Sequence, residues 1–291
     1  DWSSDVCSSD LNWQDQKEAQ EKKPAVHSKK EKKIPDLSLL PDSQEYNIKR
    51  LLENCQINKS QKEIPIGWND KEEIKTIHLN DSNHLLIIGT TGGGKSICLN
   101  EIIASIVMNY SSEEIKIVSM DTSIVELSSF NGIPHYIKNT IVSPKDIIDE
   151  IEELQKEILR REKGNNNPDI IVFIDDYYDI CSYESRIQRT IEKMLEDSKE
   201  KGIHFILATD TPSKELITDG LKQQVEGVLY LTLAPGEKND FELDLIKKDI
   251  NYITEIGNAI YKTNSGREKI IIPNITETEI ETIKNCFTEK E

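Results

Sequence analysis

Long hydrophobic runs are missing from this sequence. The most apolar stretches, such as HLLIIG at 84–89 and DIIVFI at 169–174, are far shorter than the roughly 20 apolar residues that a helix needs to cross a bilayer. Such stretches recur at intervals, which argues against a wholly disordered chain. We therefore predict a globular chain without a membrane segment.

Paired cysteines are also missing. The five cysteines, at positions 7, 55, 98, 181 and 286, form no CxxC pair, so the sequence indicates neither a zinc knuckle nor a disulfide framework. This distribution favours a reducing, cytoplasmic location.

An excess of positive charge is missing. The 291 residues include 36 Lys and Arg but 53 Asp and Glu, which gives a net charge of −17. A chain this acidic has no generic attraction for DNA. DNA binding would therefore need a local basic lining, such as a channel.

The N-terminal region falls into two parts. Residues 1–11, DWSSDVCSSDL, resemble the translation of a sequencing adapter, and we exclude them as an artefact; the alternative is a genuine Ser/Asp-rich terminus. On the artefact interpretation the natural N-terminus lies upstream, and membrane tethering through that region stays open. Residues 12–33 contain seven Lys and four acidic residues. This composition indicates that residues 12–63 form a charged linker and a segment that leads into the domain.

From about residue 65 the sequence alternates short apolar, β-branched runs with amphipathic helical stretches. The predicted strands are 84–88, 115–119, 170–174, 204–208, 228–233, 258–262 and 269–272, and the predicted helices are 96–109, 144–162 and 184–200. Alternation of this kind predicts an α/β fold with a mainly parallel sheet and helices on both faces.

The strongest motif is GTTGGGKS, which satisfies the phosphate-binding pattern G-x-x-x-x-G-K-[ST]. It follows a predicted apolar strand and precedes a predicted amphipathic helix, the context in which such a loop binds phosphate. The alternative interpretation is a glycine-rich turn without a ligand. In this interpretation Lys95 reaches the β and γ phosphates of ATP, and the Ser96 hydroxyl binds Mg²⁺. The predicted nucleotide-binding residues are Gly89, Thr90, Thr91, Gly92, Gly93, Gly94, Lys95 and Ser96.

A second motif, an acidic strand end, accompanies the phosphate-binding loop GTTGGGKS (the P-loop). DIIVFIDD, at 169–176, is a hydrophobic run that ends in two carboxylates. Because the carboxyl ends of parallel strands face one crevice, we predict that Asp175 coordinates, through water, the Mg²⁺ that Ser96 holds. Asp176 is then the candidate base that polarises the attacking water.

Three longer stretches have no generic reason to occur together. They are HLLIIGTTGGGKSICLNEIIASI (84–106), VELSSFNGIPHY (125–136) and KGIHFILATDTPS (201–213), with ITDGLK (217–222) and GNAIY (257–261) further along. All five resemble stretches of the motor domain of the FtsK/SpoIIIE family of DNA translocases. The resemblance covers about residues 64–285 and leaves 286–291 as a tail.

The resemblance implies a RecA-like P-loop ATPase that binds ATP and Mg²⁺ and assembles as a homo-oligomeric, hexameric ring around double-stranded DNA. It also implies two modules that this sequence lacks in whole or in large part. Only about twenty residues separate IPDLSLLPD (34–42), which resembles the family's lead-in, from QKEIPIGWND (61–70). A whole α subdomain would normally lie between them, and no winged-helix reader of DNA follows the ATPase domain.

Several residues depart from the family pattern. Asp176 stands where the family has Glu, and Asp210 and Thr211 stand where it has Gln and Arg. Asp210 is therefore a candidate catalytic residue, with Asp176 and Lys95, but its ionised carboxylate would repel the γ-phosphate. Asp121, Thr122 and Ser123 replace a triplet that ends in lysine. Of two expected arginines, the first falls near Gly227 or Val228 and the second near Glu242. The remaining arginine candidates are Arg160, Arg161, Arg186, Arg189 and Arg267.

Three functions follow as alternatives. The first is an ATP-driven translocase of double-stranded DNA that works as a ring. The second is a divergent ATP-binding protein with slow or no hydrolysis that acts as a switch or an assembly partner. The third is a secretion-type ATPase that moves protein. The family stretches favour the first.

Overall fold

The computed structural model describes residues 34–40, 46–79, 84–123, 127–164, 168–233 and 251–288. All of these residues belong to the unit Ile34–Glu291, which starts 30 positions before the predicted domain start at residue 64. The predicted artefact at 1–11, the linker up to residue 33, Glu242 and the last residues of the predicted tail lie outside the described residues.

The strands of the described residues form one nine-stranded sheet. They are β1 (Glu63–Asn69), β2 (Ile74–His78), β3 (His84–Ile88), β4 (Ile115–Met120), β5 (Asp169–Ile174), β6 (Ile203–Thr209), β7 (Val225–Tyr230), β8 (Asn258–Thr263) and β9 (Gly266–Ile271). Their order across the sheet is β2-β1-β9-β8-β7-β3-β6-β5-β4. The five strands from β7 to β4 are parallel, and antiparallel pairing adds β8, β9, β1 and β2.

Helices connect and cover these strands. The described α-helices are α1 (Ile48–Asn54), α2 (Lys95–Asn109), α3 (Pro144–Arg160), α4 (Tyr177–Tyr183), α5 (Ile187–Asp197), α6 (Asp219–Gln224) and α7 (Glu277–Thr288). None of these helices is long and apolar enough to cross a bilayer.

The central strands are covered on both faces. Every residue of β3, β5 and β6 is buried. On β5, Ile171 and Phe173 join a core that includes buried residues of α1, α2 and α7, while Ile170 and Val172 are buried on the opposite face. Helices α4 and α6 contact β6 and β7. The predicted α/β fold with a largely parallel, helix-covered sheet is confirmed.

The sequence pattern does not predict strands β1 and β2. The run EIPIGWN of β1 contains Pro65 and Gly67, which are unusual within strands. The pairing of β1 with β2 changes register between these two residues. The residues that obscure the strand in the sequence therefore also produce the irregularity in its ladder.

The predicted helix 184–200 is shorter in the structure, where α5 covers Ile187–Asp197. Glu184 has an extended backbone, with φ −146° and ψ 139°, and it ends the preceding helix α4. The periodicity of the apolar residues continues across this break, so the sequence pattern alone did not reveal it. Strand β7 likewise begins at Val225 rather than at the predicted residue 228.

Arg161 joins the end of α3 to the starts of two strands. Its side chain is 6% exposed. The guanidinium donates to the Glu157 carboxylate at 2.9 Å and to the backbone carbonyls of Pro168, Lys201 and Gly202 at 2.9–3.1 Å. These contacts give Arg161 a structural role at the junction of α3 with β5 and β6.

We predict that Arg161→Ala lowers the free energy of unfolding by about 3 kcal/mol, because it leaves buried polar groups without their charged partner. The matched control is Arg160→Ala, since Arg160 pairs with the same Glu157 but is 50% exposed. That substitution should lower the free energy of unfolding by less than about 1 kcal/mol. Urea denaturation followed by circular dichroism measures both, and equal effects would contradict the structural role of Arg161.

Candidate nucleotide site

The parallel strands bring several polar residues to one edge of the sheet. Strands β3, β6, β5 and β4 lie side by side and run in the same direction, so their carboxyl ends share that edge. The residues that directly follow these strands are Gly89, Asp210, Asp175 and Asp121. The start of the P-loop therefore lies at the same edge as these three carboxylates. Arg161 lies at the opposite edge of the sheet, where β5 and β6 begin.

Two glycines give the P-loop its shape. Gly94 precedes α2 and has a left-handed backbone, with φ 94° and ψ 12°, which residues with a Cβ rarely adopt. At Gly93 a Cβ would lie only 2.7 Å from the carbonyl oxygen of Thr232. The backbone of the loop can therefore pass close to its neighbours, as a phosphate cradle requires.

Hydrogen bonds to residues at the end of β6 and after β7 hold the first residues of the P-loop. The N–H of Gly89 donates to the carbonyl of Thr209, at the end of β6, at 3.2 Å. The N–H and the hydroxyl of Thr90 both donate to the carbonyl of Thr232, beyond β7, at 2.9 and 3.2 Å. The position of the loop thus depends on strands from two later parts of the chain.

Lys95 and Ser96 begin helix α2. Lys95 is buried, with 8% of its surface exposed, and within the described part of the chain its ammonium makes no hydrogen bond or ion pair. The helix N-terminus adds a partial positive charge at the same place. This end of α2 is therefore suited to receive an anion such as a phosphate group.

Asp175 and Asp176 follow β5. Asp175 is almost fully buried, and one of its carboxylate oxygens accepts the N–H of Asp176 at 2.9 Å. Asp176 has a left-handed backbone, with φ 51° and ψ 47°, and its carboxylate accepts a hydrogen bond from the Thr122 hydroxyl at 2.8 Å. Both carboxylates are thus held in defined positions at the shared edge.

Asp210 contacts the P-loop directly. Its carboxylate accepts hydrogen bonds from the hydroxyls of Thr91 at 2.7 Å and Thr211 at 2.9 Å. Burial raises the pKa of Asp210, but these two hydroxyls and the nearby ammonium of Lys95 lower it, and the net pKa lies below its usual value. Asp210 is therefore ionised at neutral pH beside the loop.

Two further residues of this edge, Thr122 and Asp179, are not among the predicted catalytic, nucleotide-binding or metal-binding residues. Thr122, after β4, fixes the Asp176 carboxylate. Asp179 lies in the first turn of α4, where burial and then the negative charges of Asp176 and Asp210 raise its pKa. The available signal for Asp179 was its closeness in sequence to the Asp175-Asp176 strand end.

The residues at this edge fit a nucleotide and a magnesium ion. The glycine loop and Lys95 suit a triphosphate, and the hydroxyl of Ser96 and the carboxylate of Asp175 are oxygen ligands of the kind that Mg²⁺ prefers. Among the described residues, no three His, Cys, Asp or Glu side chains converge as a metal site. Phosphate oxygens and water would therefore have to supply the other ligands.

Comparison with known proteins identifies relatives of the same kind. The model of the FtsK/SpoIIIE family matches residues 48–245. The protein named DNA translocase FtsK from Leptospira interrogans is 30% identical over 248 residues, which cover 76% of this chain and 26% of the relative. The chain thus spans about a quarter of the length of that relative.

Solved structures share the fold. The cytoplasmic domain of the type VII secretion ATPase EccC from Thermomonospora curvata has a TM-score of 0.63 at 18% identity, over 75% of this chain and 27% of that one. The pCW3 conjugation coupling protein TcpA, a monomer form with ATPγS, has a TM-score of 0.63 at 16% identity, over 81% and 72%. At these identities the likeness shows the fold alone.

The family model matches more than half of the sequence, and it includes the P-loop and the acidic end of β5. The parallel sheet carries both motifs at one edge. On these grounds the chain belongs to the FtsK/SpoIIIE family.

Proposed function

We propose that this chain binds ATP with Mg²⁺ at the P-loop and hydrolyses it. The observation that carries the proposal is Lys95, a residue only 8% exposed that lies at the start of α2 beside the glycine loop. Within the described residues no carboxylate neutralises it through an ion pair. A bound triphosphate would supply the missing negative charge through charge-assisted hydrogen bonds.

Each residue of the site has a role in this proposal. The backbone N–H groups of the loop and Lys95 bind the β and γ phosphates. Ser96 and Asp175 hold Mg²⁺, which supplies positive charge that offsets the charge of the phosphates. Asp176 accepts a proton from the attacking water. The Thr122 hydroxyl and the left-handed backbone hold the Asp176 carboxylate in place for that role.

Asp210 favours a slow reaction. Its ionised carboxylate is bound to Thr91 of the P-loop, so it adds negative charge next to the proposed phosphate site. This observation supports the second candidate function, an ATP-binding protein that turns over slowly and acts as a switch or an assembly partner.

For the coupled process we propose translocation of double-stranded DNA by a homo-oligomeric ring, as a hexamer. Membership of the family and the name of the Leptospira relative, DNA translocase FtsK, support it. Because the whole chain carries a net charge of −17, DNA contacts would have to come from a local basic lining of the ring.

We predict that Lys95→Ala weakens ATP binding by roughly 10- to 100-fold, because hydrogen bonds to charged groups contribute about 1.5–3 kcal/mol. Isothermal titration calorimetry with the full chain measures the change. Lys156→Ala is the control, since Lys156 is 68% exposed and pairs with Glu153 on α3. Unchanged ATP affinity in Lys95→Ala would rule out the proposed phosphate site.

We predict that Asp176→Glu raises steady-state ATP turnover by roughly 10- to 100-fold. The longer side chain brings the carboxylate closer to the water, and a misplacement of about 1 Å can lower a rate about 100-fold. Asp149→Glu is the control, because it lengthens an exposed carboxylate on α3 and leaves the candidate base unchanged. If neither substitution changes turnover, the reach of Asp176 does not limit hydrolysis.

We predict that linear double-stranded DNA raises ATP turnover several-fold at low salt and that the stimulation declines as salt increases, because phosphate contacts release counterions. Single-stranded DNA of equal length and the Lys95→Ala variant serve as controls. ATP binding without stimulation at any salt concentration would exclude the translocase and leave the switch function.

A further inference from the structure

Asp210 directly follows β6, the strand that lies between β3 and β5 in the sheet. Strand β3 leads into the P-loop, and β5 leads to the candidate base Asp176. The Asp210 carboxylate accepts a hydrogen bond from the hydroxyl of Thr91, in the loop, at 2.7 Å. Its charge also acts on Asp179, after β5, where burial and then the charges of Asp176 and Asp210 raise the pKa of that carboxyl. Asp210 therefore lies within electrostatic reach of both the P-loop and the acidic residues after β5.

The carboxylate of Asp210 is held from two sides. Its Oδ2 atom accepts from the Thr91 hydroxyl, and its Oδ1 atom accepts from the Thr211 hydroxyl at 2.9 Å. Burial raises the pKa of Asp210, but these two hydroxyls and then the ammonium of Lys95 lower it below its usual value. A negative charge with a defined position therefore lies at the end of β6.

The strand order indicates which phosphate group this charge would meet. In the proposed ATP complex the P-loop, after β3, binds the β-phosphate, and Asp176, after β5, polarises the attacking water. The γ-phosphate has to lie between the loop and that water, and the strand between β3 and β5 is β6. Asp210 would therefore lie closest to the one phosphate group that ATP has and ADP lacks.

We propose that Asp210 makes this site selective for ADP over ATP, an inference that rests on the proposed nucleotide binding at the P-loop. Like charges that are held close together repel each other, so the carboxylate lowers the affinity for the nucleotide that carries the third phosphate. The phosphates that ADP shares with ATP are bound by the loop itself. When both nucleotides are present at equal concentration, the ADP complex is then the favoured state of the switch.

The test compares ADP with ATPγS, which has a third phosphate and is hydrolysed slowly. In calorimetry with the full chain and excess Mg²⁺, wild-type protein should bind ADP about tenfold more tightly than ATPγS. Asp210→Asn removes the charge but keeps an oxygen that can accept from the Thr91 hydroxyl. This substitution should tighten ATPγS binding about tenfold and change ADP affinity less than about twofold.

Two further variants serve as controls. Asp210→Glu keeps the negative charge, so it should keep the preference for ADP. Asp197→Asn also removes one negative charge, but Asp197 ends α5 shortly before β6 begins, at the opposite edge of the sheet. The Asp197→Asn variant should bind both nucleotides with wild-type affinity.

Several results would overturn the proposal. Wild-type protein that binds ATPγS at least as tightly as ADP would contradict the selectivity and leave the P-loop site intact. An equal effect of Asp210→Asn on both nucleotides, or loss of the ADP preference in Asp210→Glu, would show that the charge of Asp210 does not act on the γ-phosphate. Binding of neither nucleotide by the wild-type protein would remove the proposed function as well.

Discussion

Strand β3 pairs in parallel with β6 on one side and with β7 on the other. These two pairings determine which residues contact the P-loop. The β6 side places the Thr209 carbonyl against Gly89 and the Asp210 carboxylate against Thr91. The β7 side places the Thr232 carbonyl against Thr90 and Gly93. Because both neighbours come from sequence more than 100 residues after β3, the loop acquires its shape only once the sheet is assembled.

Charge is unevenly distributed along the same edge. The ammonium of Lys95 lies near the Asp210 carboxylate. Burial raises the pKa of Asp210, but the hydroxyls of Thr91 and Thr211 and then this ammonium lower it below its usual value. The mutual repulsion of the carboxylates, added to burial, is visible in the raised pKa of Asp179. In the proposed ATP complex the triphosphate would add further negative charge to this edge.

Features that depend on local sequence could be predicted from it. The apolar runs identified the parallel strands, and the glycine spacing identified the loop between β3 and α2. The contacts of Asp210 with Thr91 and of Thr122 with Asp176 join residues 119 and 54 positions apart. They depend on the strand order β3-β6-β5-β4, which hydrophobic periodicity does not specify. The chemical roles assigned to these residues stay predictions.

The left-handed backbone at Asp176 has an evolutionary consequence. A short side chain that can hydrogen bond locally tolerates this conformation better than a longer one does. Codons for Asp and Glu differ only in the third base, so a single nucleotide change exchanges the two residues. In the proposed role, backbone stability selects for Asp at this position and reach toward the water selects for Glu. Selection for stability and selection for turnover would then favour different residues at position 176.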